Sequence, residues 1–175
     1  MATEKIAYGA AVELTFTSLG ALAAAAGLTG GAESAAVDNS ANLNMDYLLS
    51  GNFKTAAANG LIGYIEVWVI GQLEDTLWPD VFDGTDSVET VTNRDSLFGF
   101  GKLAGSIYAP NATASQIYAF GPVSVAQLFG GICPRKFVVF VTHNVQTSTN
   151  VLAAAAAGPP QVNKMFVTPI TFTSA

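Results

Sequence analysis

The chain has 175 residues, half of them hydrophobic and only 11% charged, with a formal net charge of −6 and a pI near 4.5. That length suits a single domain with its own core. Its seven basic residues are scattered, with Arg135-Lys136 the only adjacent pair, so the chain lacks the basic stripe a nucleic-acid partner requires.

Charged residues make up about a quarter of an ordinary soluble domain. The deficit here points to a large buried fraction, to a surface that meets partners, or to both. Met1 to Tyr8 is polar and mixed in charge, and Met1 to Ala11 reads as an N-terminal arm ahead of one domain over 12–175. It lacks the pattern of a secretory signal. No apolar run reaches the roughly 18 residues of a membrane span, so synthesis in a cytoplasm and no membrane contact are expected.

In chain order, Val12, Leu14 and Phe16 alternate with Glu13, Thr15 and Thr17, the period of a half-buried strand. Ser18 to Gly27 reads as one short helix, capped by Ser18 and ended by Gly27. Ala35–Asp38 and Leu43–Leu49 read as strands, and Ser50-Gly51-Asn52 as a turn. Phe53–Gly60 is Ala-rich and ends on an Asn-Gly turn signal. Leu61–Gln72 is the strongest strand, with Ile65, Val67 and Val69 on one face and Tyr64, Glu66, Trp68 and Ile70 on the other. Both faces are apolar, so it should be central, and Glu66 should lie near a strand end or pair with a Lys or Arg.

Glu74–Thr92 carries most of the acidity and reads as a long loop, a class that is usually functional or flexible. Leu97–Leu103 reads as a Gly-broken strand and Tyr108–Asn111 as a turn. Ile117–Phe120 and Val123–Leu128 read as strands split by Gly121-Pro122. Lys136–Thr142 should be buried on both faces. Ala153–Pro160 reads as a loop or helix stub, and Val162–Thr173 as the last strand, with Pro169 at an edge or bulge. About eight short strands with little helix predict an all-β, antiparallel β-sandwich, jelly-roll-like.

The chemistry-bearing residues are sparse. Cys133 is the single cysteine and His143 the single histidine, which rules out an internal disulfide and a multi-cysteine zinc site. Cys133 reads as a buried apolar residue and His143 as a surface or strand-end residue. No nucleophile elbow, Walker loop or dinucleotide fingerprint is present. Phe98-Gly99-Phe100-Gly101-Lys102 lacks the third glycine of such a fingerprint. A glycosidase pair of Glu66 with Glu74 or Asp75 is the nearest approach to catalysis. Asp80, Asp83 and Asp86 recur every third residue but miss the alternate ligands and closing Glu of an EF-hand, so a solvated acidic loop is the better reading than calcium. Neither an enzyme nor a cofactor is expected. The candidate partner-interface residues are Trp78, Asp80, Asp83, Asp86 and Tyr108. The arm and the Glu74–Thr92 loop are the segments whose ordering would need a partner.

Three stretches carry a resemblance. They are Ser34-Ala35-Ala36-Val37-Asp38-Asn39-Ser40-Ala41-Asn42-Leu43, then Pro122-Val123-Ser124-Val125-Ala126-Gln127-Leu128-Phe129-Gly130-Gly131-Ile132-Cys133-Pro134-Arg135-Lys136-Phe137, and Val167-Thr168-Pro169-Ile170. Together they resemble small virion proteins of tailed bacteriophages, the head-decoration or cement proteins. The resemblance implies a jelly-roll-like fold, a place on the exterior of the capsid, the major capsid protein as partner, and homotrimers. The alternative is a tail- or fibre-associated adhesin that binds host glycans through exposed aromatics such as Trp78 and Tyr108.

Overall fold

The computed structural model describes residues 4–55, 63–109, 116–145, 152–153 and 161–174. Two antiparallel sheets pack as a β-sandwich. The first holds β1 (Glu4–Tyr8), β2 (Val12–Glu13), β5 (Asp46–Lys54), β9 (Ile117–Ser124) and β11 (Lys164–Ser174). The second holds β3 (Gly30–Glu33), β4 (Val37–Asp38), β6 (Gly63–Gly71), β7 (Ser87–Thr90), β8 (Gly101–Ala109) and β10 (Lys136–His143). Two short helices, α1 (Arg94–Phe100) and α2 (Val125–Leu128), complete the elements. The strand orders are β1-β11-β5-β9, with β2 also on β11, and β7-β3-β10-β6-β8, with β4 also on β10.

The two central strands of the second sheet fix the layering. In β6, Ile65, Val67 and Val69 point into the space between the sheets, where they meet Phe137, Val139 and Val141 of β10. Leu49, Phe53 and Met165 close that core from the first sheet. The alternate residues Trp68, Ile70, Val138 and Phe140 form a second, separate cluster on the outer face. Phe82, Val91 and Leu97 cover it. Residues 74–86 and 91–100, on either side of the edge strand β7, are therefore a cap over the second sheet, which lets a strand that is apolar on both faces sit in an antiparallel sheet.

Several expectations are corrected. The Ser18–Gly27 helix is absent: a single 3-10 turn, Thr17–Leu19, stands there without a side-chain cap. Ala21 and Leu28 adopt positive φ, and backbone bonds tie Ala21 and Leu22 to Leu152 and Ala25 to His143. The buried Leu19 and Leu22 are anchored one by one rather than along a helical stripe. Ser50-Gly51-Asn52 lies inside β5, where Gly51 permits the close approach of Met165. Leu97–Phe100 is the end of α1, whose N-cap Asn93 accepts from the Asp95 amide at 2.9 Å, and β8 begins only at Gly101. Tyr108 belongs to β8 rather than to a turn.

Downstream, β9 runs unbroken through Gly121-Pro122, and Val125–Leu128 is the helix α2, started by Ser124. Gly121 has φ +76, and a Cβ there would collide with the Leu49 carbonyl oxygen, so only glycine fits. Residues 4–8 of the expected arm are the edge strand β1, paired with β11. The Asn59-Gly60 turn, Asn111 and the 154–160 stretch lie outside the described residues.

Phe140 touches the cap as well as the sheet, with its ring edge-on to Phe82 at 5.2 Å. Phe140→Ala should lower the unfolding free energy by about 3–5 kcal/mol, read from the shift of the urea midpoint at unchanged slope.

Candidate functional site

The acidic loop is part of the scaffold. Asp80 accepts from the Thr92 amide at 3.0 Å and its hydroxyl at 2.7 Å. Asp83 accepts from the Thr85 amide at 2.8 Å, closing a local turn. Asp86 reaches the other end of the chain, accepting from the Thr17 amide at 2.9 Å, the Thr17 hydroxyl at 2.6 Å and the Ser18 hydroxyl at 3.2 Å. Burial pushes the Asp86 carboxyl up, but the Thr17 and Ser18 bonds outweigh it and hold the carboxyl below its ordinary value. The three aspartates thus bind three different segments. Among the described residues no three His, Cys, Asp or Glu side chains gather as a metal site.

Trp78 is half-buried and packs against the outer-face cluster, beside Gly84. Gly84 has φ +84 and brings the loop against the indole. Tyr108 is different: it stays about half-exposed and pairs with Tyr64 across the β6–β8 ladder, their ring centroids 5.2 Å apart. Of the five candidates, then, one aromatic remains open to solvent beside a second aromatic that the sequence placed on the same strand face as Trp68.

Two buried carboxylates hold the cap down. Glu66 on β6 accepts from Trp68 Nε1 at 3.2 Å and forms an ion pair with Arg94 at the start of α1. Pairing with an arginine is one of the two fates expected for Glu66. Glu33, which nothing in the sequence singled out, is fully buried on β3. Its Oε1 accepts from the Gly84 amide at 2.8 Å and the Asp83 amide at 3.3 Å, while Oε2 has no partner among the described residues. Burial raises the Glu33 carboxyl to about 7 against the pull of those amides, with Asp83 and Glu89 adding to the rise.

His143 ends β10, but it is buried rather than at the surface. Its Nε2 lies 2.9 Å from the Leu22 carbonyl, which makes that nitrogen the proton donor and leaves Nδ1 buried without a partner among the described residues. Burial holds its pKa below the ordinary value. Cys133 is half-buried, and burial together with Asp46 pushes its thiol up to about 12, far from a reactive thiolate.

A second feature was hidden in the sequence. Asn39 is buried and clamps a tight loop. Its Oδ1 accepts from the Asn44 amide at 2.8 Å and its Nδ2 donates to the Asn44 carbonyl at 2.9 Å. The clamp forces Leu43 to φ +49, a left-handed conformation a leucine rarely adopts. Leu43 projects into solvent, more than three-quarters exposed. Beside it is Ile132, equally exposed, from the Gly130-Gly131 turn. Leu43, Met45 and Ile132 rim a shallow depression of about 330 Å³ floored in part by Cys133. Compared with protein-family models, curated proteins and solved structures, the chain matches none of them.

Two outcomes test the cap. Glu33 has a folded pKa of about 7 above its ordinary 4.5, so the stability tied to its protonated form is full below 4.5 and is lost as pH rises through 7. Glu33→Gln should remove that fall, so the melting temperatures of variant and parent should converge or cross between pH 5 and 8 in calorimetry. Arg94→Ala leaves the Glu66 charge buried. It should cost about 2–3 kcal/mol, below the roughly 3–5 of a fully enclosed pair because the Arg94 side chain is one-third exposed. Hydrogen exchange should place the loss in residues 74–100 ahead of the inter-sheet core.

Proposed function

We propose that this chain is a bacteriophage virion structural protein that seats on the outside of the capsid shell and stabilises it, with the major capsid protein as its partner and further copies of itself as neighbours. The observation that carries the reading is the surface built by Leu43, Met45 and Ile132. Leu43 and Ile132 come from the two longest stretches that resemble cement proteins, Ser34–Leu43 and Pro122–Phe137. They are far apart in sequence, and the Asn39 amide bonded to the Arg135 carbonyl at 2.8 Å joins them. A monomer gains nothing from holding an exposed leucine in a strained conformation. A docking protein gains an apolar anchor that is already in place before contact, which lowers the ordering cost of binding.

The rest of the molecule suits that role. A cement protein must transmit load between shell positions, and a capped sandwich whose acidic loop is tied to its own backbone is stiff. Low surface charge is typical of the centre of protein interfaces.

A second reading has its own observation. The exposed Tyr64–Tyr108 pair offers two aromatic rings, tilted 42° to one another, and aromatic faces are what sugar rings stack on. It supports a tail- or fibre-associated adhesin for host glycans, and a glycan array with no hits would remove it.

The deciding experiment is binding to expanded heads that lack this protein. The parent chain should bind, and Leu43→Asn and Ile132→Ser should each weaken binding about tenfold or more. Asparagine tolerates the left-handed backbone, so Leu43→Asn should keep or raise the melting temperature while binding falls. Heads that ignore the parent chain, or bind all three proteins alike, would sink the reading.

A further inference from the structure

β11 outruns its sheet. Its pairing with β5 ends at Asp46 and Ile170, where the Met45 amide bonds the Ile170 carbonyl, and beyond that it continues to Ser174 with only β1 beside it among the described residues. Residues 4–8 and 170–174 therefore form a two-stranded ribbon that projects past the sandwich. Such a ribbon is marginal in water by itself. Its exposed face is apolar: Ile6 stands opposite Phe172 and Tyr8 opposite Ile170, and Ile6, Tyr8 and Phe172 are each more than half exposed.

The backbone of the outer edge is also open. The Gly9 amide donates to the Pro169 carbonyl at 2.8 Å, so Gly9 and Pro169 are a hydrogen-bonding pair. Antiparallel pairs alternate. Ile6 and Tyr8 therefore turn their N–H and C=O groups outward, where none of the described residues pairs with them. Long apolar edges of this kind are normally blunted by proline, bulges or charge. Lys5 is the one charged side chain described on β1, and it points to the opposite face.

We propose that β1 is a dimerisation edge that pairs antiparallel with β1 of a second copy, with the two-fold axis at Ile6. The second copy is the occupant because the strand is complementary to itself in this register. The outward groups fall at Ile6, Tyr8 and Glu4, so Ile6 meets Ile6 and Tyr8 meets Glu4 as hydrogen-bonding pairs. Lys5 lies across from Ala7, and like charges do not meet. The apolar stripe becomes continuous across four strands, running Phe172, Ile6, Ile6, Phe172. An isologous contact closes at two copies, unlike the trimer implied by the resemblance to cement proteins. The Met45 amide bonds the Ile170 carbonyl at 2.9 Å, so the Leu43–Ile132 surface lies across β11 from the pairing edge, and a dimer can still present its anchors.

Light scattering of the full chain over a hundredfold concentration range tests this, together with hydrogen exchange. The expected result is a mass that doubles with concentration and at least tenfold slower exchange of the Ile6 and Tyr8 amides in the dimer. Two variants should shift the midpoint of dimerisation at least tenfold to higher concentration. Ile6→Pro removes an outward donor and spares the bonds to β11, and Ile6→Lys adds charge at the axis. Circular dichroism melts like the parent's would establish that both fold. A monomer at every concentration, a trimer, or a dimer indifferent to both variants overturns the proposal.

Discussion

The outer face of the second sheet cannot be left in water. Trp68, Ile70, Val138 and Phe140 are all fully buried there, although no sheet lies over them. Fully burying side chains of this size is worth about 1.5–3 kcal/mol each, so the fold depends on what covers them. Residues 74–86 and 91–100 do so, and two glutamates rising from the sheet itself hold the cover in place. Glu33 takes the backbone of the loop and Glu66 takes the first residue of α1. Each carboxylate bears a desolvation cost, which the Arg94 ion pair offsets for Glu66 and which two amide bonds offset only in part for Glu33. The gain is register: an apolar cap could slide on an apolar sheet, whereas two fixed polar anchors allow one position.

This explains which parts of the molecule were legible in sequence. Period two marked Ile65, Val67 and Val69 against Trp68 and Ile70, because alternation is a local property of any strand. The continuous apolar run of Lys136–Thr142 gave its double burial by the same logic. The errors fall where distant partners decide. Leu19 and Leu22 have helix-like spacing, yet Leu152 and His143 capture the backbone around them. Val125–Leu128 has Val125 as its one strand former, and its Ala, Gln and Leu take the helix that Ser124 caps and that Asp46 holds by accepting from the Ala126 amide. Asn93 announced α1 by its cap chemistry, but Gly99 and Gly101 obscured it. Strand order was illegible throughout, since β11 joins residues 4 to 174 by contacts that no window of sequence contains.

The candidate surface was less legible than the fold. Counting acidic residues drew attention to Asp80, Asp83 and Asp86, but a carboxylate serves a neighbouring amide as readily as a partner. The informative residue was Leu43, whose strain is invisible until the Asn39–Asn44 clamp is seen. Its meeting with Ile132 is a tertiary event set by β4 and β10, which place Asp38 across from Lys136. The same register puts the stretches 34–43 and 122–137 side by side.

The ribbon that pairs Glu4 with Ser174 also decides how the molecule would respond to force. Tension applied through residues 4 and 174 would open the β1–β11 ladder like a zipper, loading one hydrogen bond at a time. Tension along the length of β5 or β10 would instead load the bonds of two flanking ladders together, in shear. The fold is thus soft when pulled at its outer strands and stiff along its central ones.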